Sequence, residues 1–190
     1  MSRAGLDRAK VVALAAEVAD AEGLEAVTVA RVAAGLGVRA PSLYNHVEGR
    51  GALLDGVAAA GMRDLAARIG AAGVGRSGEA ALLAAARAYR AYALEHPGRY
   101  AAALRAPAAQ DGAVAAQAAE LVAVLAGLLR AWGLEGEDAT HAIRGLRSAL
   151  HGFVDLERSG GFRLPVALDE SFDRLVLAVA AGLSRASGSR

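Results

Sequence analysis

The segment Arg39-Ala40-Pro41-Ser42-Leu43-Tyr44-Asn45-His46 sets arginine, serine, tyrosine, asparagine and histidine into little more than two helical turns. Such a set suits the wall of a DNA groove. Arg39 can donate to guanine or to phosphate, and Ala40 is small enough for close approach or for contact with a thymine methyl. Ser42, Tyr44 and His46 are groups of the phosphate-contacting type, while Asn45 faces either a base or solvent. Arg50 opens the following helix, where it can meet a phosphate beside the N-terminal amides. Thr28 and Arg31 open the preceding one, which in such helix pairs crosses the DNA backbone.

Other chemical signals do not survive their context. Gly73-Val74-Gly75-Arg76-Ser77-Gly78 spells G-x-G-x-x-G, but a dinucleotide site needs a strand before it, and the helical "RDLAARIGAAG" stands there instead. His46-Val47-Glu48 spells H-x-E, yet a zinc deaminase also needs P-C-x-x-C, and the chain has no cysteine. The same absence excludes disulfides and thiolate metal sites. Lys10 is the only lysine, so a phosphate loop of the G-K-S or G-K-T kind is ruled out. His141 and His151 share a helix but lie about 80° apart around its axis, too far for a metal-binding pair. With no nucleophile–base motif, the expectation is a protein that is not an enzyme and holds no cofactor or metal.

Net charge is only +1. In the N-terminal third, Arg3, Arg8, Lys10, Arg31, Arg39 and Arg50 are offset by Asp7, Glu17, Asp20, Glu22, Glu25 and Glu48. A DNA-binding reading therefore rests on where the charges sit rather than on their sum.

The elements that must position the polar set form a corner. A helix over about 7–21 has Val11, Leu14, Ala15, Val18 and Ala19 on one face. Thr28 caps a second, with Val29, Val32, Ala33 and Leu36 on its inner face, stopped by Gly35 and Gly37. A third begins near Pro41 and ends by Val47. Two helices meeting over so short a turn need a small residue at the approach, Ala33, and one tolerant of positive φ, Gly37. Val32, Leu36, Val38, Leu43 and Val47 then form the buried seam, leaving the polar set outside. Further helices are predicted over about 52–69, 79–95, 98–105, 110–132, 137–158 and 169–185, with a glycine-rich joint at 70–79. No stretch alternates as a strand, so the fold class is all-α. The apolar runs 121–129 and 175–183 fall short of the roughly 20 residues that span a bilayer, and the N-terminus lacks a signal peptide's apolar middle. A soluble, cytoplasmic protein is expected.

Residues 7–54 resemble the DNA-binding region of the tetracycline-repressor (TetR) family of bacterial transcription regulators. The resemblance is carried by "ALAAEVADAEGLEAVTVARVAAGLGV" and then "PSLYNHVEGRGALL". Leu43, Tyr44 and His46 match the family's LY-x-H-F ending of the recognition helix, with Val47 in place of phenylalanine. Arg50 stands where lysine is commonest, and Gly51 occupies a usually acidic place. The resemblance implies phosphate contacts from Tyr44, His46 and Arg50, with Thr28 near the backbone, and base reading by Arg39, Ala40 and Ser42. It also implies a three-helix helix-turn-helix domain (1–51) joined to a larger helical domain (52–190) for dimerisation and ligand binding.

The rest of the chain offers residues for both tasks. Ile143, Leu146, Leu150, Phe153 and Glu157, widened by Val154, follow helical spacing, as do Phe172, Leu175, Val176, Val179 and Leu183. Two such helices per subunit would make a four-helix homodimer interface. For a small apolar or aromatic effector the candidates are Tyr89, Tyr92, Tyr100, Leu104, Trp132 and His151. His96-Pro97-Gly98-Arg99-Tyr100 and His151-Gly152 resemble a TetR subgroup marked by HP-x-x-Y and a Trp-x-x-x-His-Gly type pattern, although the tryptophan is missing. The expected function is a repressor released from a palindromic double-stranded operator by its effector. The alternatives are a helical small-molecule-binding protein without DNA binding and a helical enzyme using His141 or His151 as a base.

Overall fold

A computed structural model describes residues 6–105 and 112–187, with side chains through 184. Among them are nine α-helices and no strand: α1 (Arg8–Glu22), α2 (Val29–Gly35), α3 (Ala40–Leu43), α4 (Arg50–Gly73), α5 (Gly78–Glu95), α6 (Pro97–Arg105), α7 (Ala113–Leu129), α8 (Gly136–Arg158) and α9 (Leu168–Ser187). The joint expected at 70–79 is shorter, because α4 continues through Gly70 and Gly73 and only 74–77 are non-helical. Alanine on either side holds those glycines in the helix despite their entropic cost. The G-x-G-x-x-G letters thus span a turn between two helices, with Gly75 at φ 72° and Gly78 at φ 55°.

The chain divides into two compact units that differ from a division after residue 51. The first comprises 1–64 with 96–119, and the second comprises 65–95 with 120–190. Helix α6 therefore belongs with α1 to α3, and the division falls inside α4.

The first unit is held by a core of Val11, Ala15, Val18, Val27, Val32, Leu43, Val47, Leu53 and Val57. Small residues let its backbones meet. A Cβ on Gly98 would fall 2.0 Å from the carbonyl carbon and oxygen of Ala19, and one on Gly61 would lie 2.8 Å from the carbonyl oxygen of Arg99. The first turn of α6 thus lies directly on the backbone of α1 and close beneath α4. Pro97, which has no N–H to satisfy, starts that turn. Asp20 of α1 supplies the missing cap: its carboxylate accepts the backbone N–H of Arg99 at 2.8 Å. It also lies 3.1 Å from the Arg99 Nε and 3.1 Å from His96 Nδ1.

In the second unit α5, α8 and α9 pack on one another. At their junction Arg90 donates twice to Glu157, at 2.6 Å each, and once to Asp169 at 2.7 Å. Its guanidinium lies 5.2 Å from the Phe172 ring centre and 5.6 Å from that of Phe153. Its hydrogen bonds to Glu157 raise its pKa further above the usual guanidinium range, against the opposing effect of burial. Arg87 pairs with Asp173 and holds that carboxyl below its usual range.

This packing corrects part of the expected dimer stripe and leaves Leu175, Val179 and Leu183 of α9 half-buried. Ile143, Leu146, Leu150, Phe153 and Val154 are buried within one chain, as are Phe172 and Val176, while Glu157 is engaged by Arg90. They are core because α5 occupies the apolar face they share. A second correction concerns length. Alanines extend the apolar run 121–129 backwards, so Ala113–Trp132 is one helix long and apolar enough, by length and composition, to cross a membrane.

Replacing Gly98 by alanine forces a methyl into the Ala19 carbonyl and should cost about 3 kcal/mol in a urea denaturation series. A Cβ at Gly127 of α7 meets nothing within 4 Å, so the same substitution there should be neutral or stabilise by up to about 1 kcal/mol.

Candidate nucleic-acid interface

The corner forms as the residue types require. Thr28 caps α2 by accepting the Arg31 N–H at 3.1 Å. Leu36 closes the helix with an N–H to the Val32 carbonyl at 3.0 Å, and Gly37 turns the chain at φ 68°. Val38 then donates back to the Ala33 carbonyl at 3.0 Å, which aims α3. Pro41 sits in the first turn of α3. The α-helix proper is shorter than expected, but the His46 and Val47 N–H groups both bond to the Leu43 carbonyl, at 2.8 and 2.9 Å, and prolong the coil.

Leu43 is fully buried and Val47 nearly so, and Val32 and Ala33 lie under them in the same core. That burial decides what faces out. Arg39, Ser42, Tyr44 and Asn45 are exposed, Tyr44 by 60%. Ala40, His46 and Thr28 are half-buried. Pro41 shares the exposed surface, an apolar member absent from the predicted set. The Arg39 side chain has no ion-pair or hydrogen-bond partner among the described residues, so its five guanidinium donors are unspent.

Arg50 and Arg31 are in a different situation. The Arg50 Nε donates to the Val27 carbonyl at 3.0 Å, and its Nη2 donates to the Leu24 carbonyl and the Glu25 carboxylate, each at 3.0 Å. It is bound to the 3-10 turn Leu24–Ala26 that leads into Thr28. Arg31 pairs with Glu22 through its Nη2 at 2.6 Å and its Nε at 3.2 Å, joining α2 to the end of α1. Hydrogen bonding from that guanidinium holds the Glu22 carboxyl below its usual range. Nothing in the spacing of Glu22 and Glu25 announces these partners, because each acts on a residue of a different element, beyond the reach of helical periodicity.

The expected effector residues do not gather in one unit. Tyr100 and Leu104 lie on α6 in the first, with Tyr100 buried and Leu104 half-buried. Tyr89, Tyr92, Trp132 and His151 lie in the second. There the two tyrosines and Trp132 are buried in the core and His151 is half-buried. Trp132 donates to Ser184 at 3.0 Å, and the Arg68 guanidinium stands 5.2 Å from the Tyr92 ring centre. No group of three or more His, Asp and Glu suited to a metal occurs among the described residues.

Comparison with known proteins agrees with this architecture. Residues 11–57 match the bacterial regulatory proteins of the tetR family, and residues 82–179 match a tetracyclin repressor-like C-terminal domain. The chain is 38% identical over 187 residues to Rv0681, an uncharacterized HTH-type transcriptional regulator of Mycobacterium tuberculosis, covering 96% of this chain and 84% of that one. It is 36% identical to YobS of Bacillus subtilis, likewise an uncharacterized HTH-type transcriptional regulator, covering 95% and 94%. A 50-residue stretch is 56% identical to the HTH-type transcriptional repressor DrrR1 of Streptomyces coeruleorubidus, covering 26% of this chain and 18% of that one. Apo ActR from Streptomyces coelicolor shares the fold at a TM-score of 0.72 and 22% identity, covering 98% and 99% of the two chains. The TetR regulator SCO7222 of the same organism does so at 0.75 and 17%, covering 95% and 99%.

The two arginines should separate cleanly on denaturation. Arg50→Ala strands the Leu24 and Val27 carbonyls and should lower stability by about 1 kcal/mol, whereas Arg39→Ala should stay within about 0.5 kcal/mol of the parent.

Proposed function

The chain belongs to the tetR family and is a transcriptional regulator with a helix-turn-helix DNA-binding domain, and we propose that it is a homodimeric repressor released from a palindromic operator by a small molecule. The observation that carries this reading is α3. Its buried Leu43 and Val47 turn Arg39, Ser42, Tyr44 and Asn45 outward together, and Arg39 has no internal partner. We assign base reading to Arg39, Ala40 and Ser42, with Pro41 offering apolar contact beside them. Tyr44 and His46 hold phosphates, Thr28 lies near the backbone, and Asn45 reaches a base only if the helix seats deeply. Arg50 also fixes the turn that presents Thr28, through its bonds to the Leu24 and Val27 carbonyls. That one relative, 56% identical over 50 residues, is named a repressor supports the direction of regulation.

Pairing of two such helices on half-sites about 34–36 Å apart requires a dimer. The apolar stripe of α8, with Phe172 and Val176 of α9, is spent in the core, so we assign the contact to the outer faces of the two helices. There Gly145 and Gly152 on α8 and Gly182 on α9 have open space where a Cβ would stand, and Leu177 is 40% exposed. Backbones with no side chain between them can approach closely across a two-fold axis. The effector, in this reading, binds among the aromatics of the second unit, Tyr89, Tyr92, Trp132 and His151, and shifts the population away from the operator-binding state. The protein would act in the cytoplasm, where bacterial DNA lies.

A gel shift with the DNA upstream of its own gene, titrated with salt, tests the reading. The complex should weaken steeply as salt rises. Tyr44→Ala should weaken it about tenfold while leaving the dimer intact on analytical ultracentrifugation. Leu177→Arg should give monomers and lose the shift. Full-strength binding by the Tyr44 variant would refute the groove assignment.

A further inference from the structure

The 3-10 turn Leu24–Ala26, the first turns of α4 and the C-terminal half of α6 enclose a cleft of about 270 Å³, wholly within the first unit. Its apolar lining is Leu24, Leu54, Ala58 and Ala102, and its charged lining is Glu25, Arg50, Asp55 and Arg105. One carboxylate serves two guanidiniums there: Glu25 lies 3.0 Å from Arg50 and 3.6 Å from Arg105. That carboxylate is 82% exposed, so the bridge it makes is screened and easily exchanged. Arg50 is held in place independently, by its bonds to the Leu24 and Val27 carbonyls, and needs no rearrangement to accept another anion.

We propose that this cleft binds a small organic monocarboxylate of about ten non-hydrogen atoms. Its carboxylate takes the place of Glu25 between Arg50 and Arg105, where guanidiniums present paired donors to planar anions. Its apolar body covers Leu24, Leu54, Ala58 and Ala102, which small alanines leave room to reach. Neither part suffices alone: acetate has no body to bury, and a neutral isostere cannot compete for the arginines. Asp55, exposed on the wall, opposes a second negative charge and so selects against dicarboxylates. The cleft shares no residue with the aromatics assigned to the effector and does not depend on DNA binding, so its failure would leave the operator reading intact.

Isothermal titration of the full chain with sodium hexanoate, at constant ionic strength, tests the proposal against hexanamide and acetate. Saturable binding of hexanoate alone is expected. Glu25→Gln removes the internal competitor and should tighten binding by up to about fivefold. Arg105→Ala should weaken it at least about fivefold. Gly51 lines the cleft, and a Cβ there meets nothing within 4 Å, so Gly51→Leu should block the site while leaving the melting temperature in place. No saturable hexanoate binding, equal binding of hexanamide, weaker binding by Glu25→Gln, or unchanged affinity in both Arg105→Ala and Gly51→Leu would each overturn the proposal.

Discussion

Burial of Leu43 and Val47 against the core of the first unit is the constraint from which the interface follows. A helix as short as α3 has little stability of its own, since nucleation costs more than its few hydrogen bonds return. It persists because two apolar side chains are removed from water on one side and because Gly37 and the Val38–Ala33 bond fix its approach. Once those two positions are committed inward, the remaining side chains have no choice of direction. The polar surface is a consequence of the seam beneath it.

Charge in the first unit is organised by the same economy. Three of its acids have definite partners: Asp20 caps α6, Glu22 fixes α2 to α1, and Glu25 meets Arg50 beside the intervening turn. Each neutralises a cation where a backbone must be held, and Arg39 is left unpaired where the chain is exposed. This resolves the near-zero net charge of a DNA-binding domain. Affinity for a polyanion needs a few unspent cations on one face, and pairing elsewhere keeps the total low without weakening that face.

Glycine and alanine perform the corresponding task for the backbone. Gly98 against Ala19 and Gly61 against Arg99 bring three helices closer than any side chain would permit. In the second unit the solution is different. Arg90 is surrounded by two carboxylates and two phenylalanine rings, a half-buried charge made tolerable by its carboxylate partners and by the electron-rich ring faces. Phe153, Glu157 and Phe172 all take part in that arrangement.

Helical periodicity, the Pro41 and Thr28 start signals and the glycine corner were legible in the sequence because they act over one or two turns, where the chain's own geometry sets which residues are neighbours. The all-α class and the outward set from Arg39 to Asn45 follow from such local rules. The partners of Arg50, Arg31 and Arg90 were not legible, because an ion pair carries no periodic signature and its members lie far apart in the chain. For the same reason an apolar stripe could be found on α8 and α9 but not its occupant: spacing shows that a face must be covered, and only the packed structure shows that α5 covers it. What the sequence by itself determined is which faces turn inward, through the 3.6-residue repeat; what tertiary structure alone decided is which element meets each face, since that depends on contacts between residues the chain separates by dozens of positions.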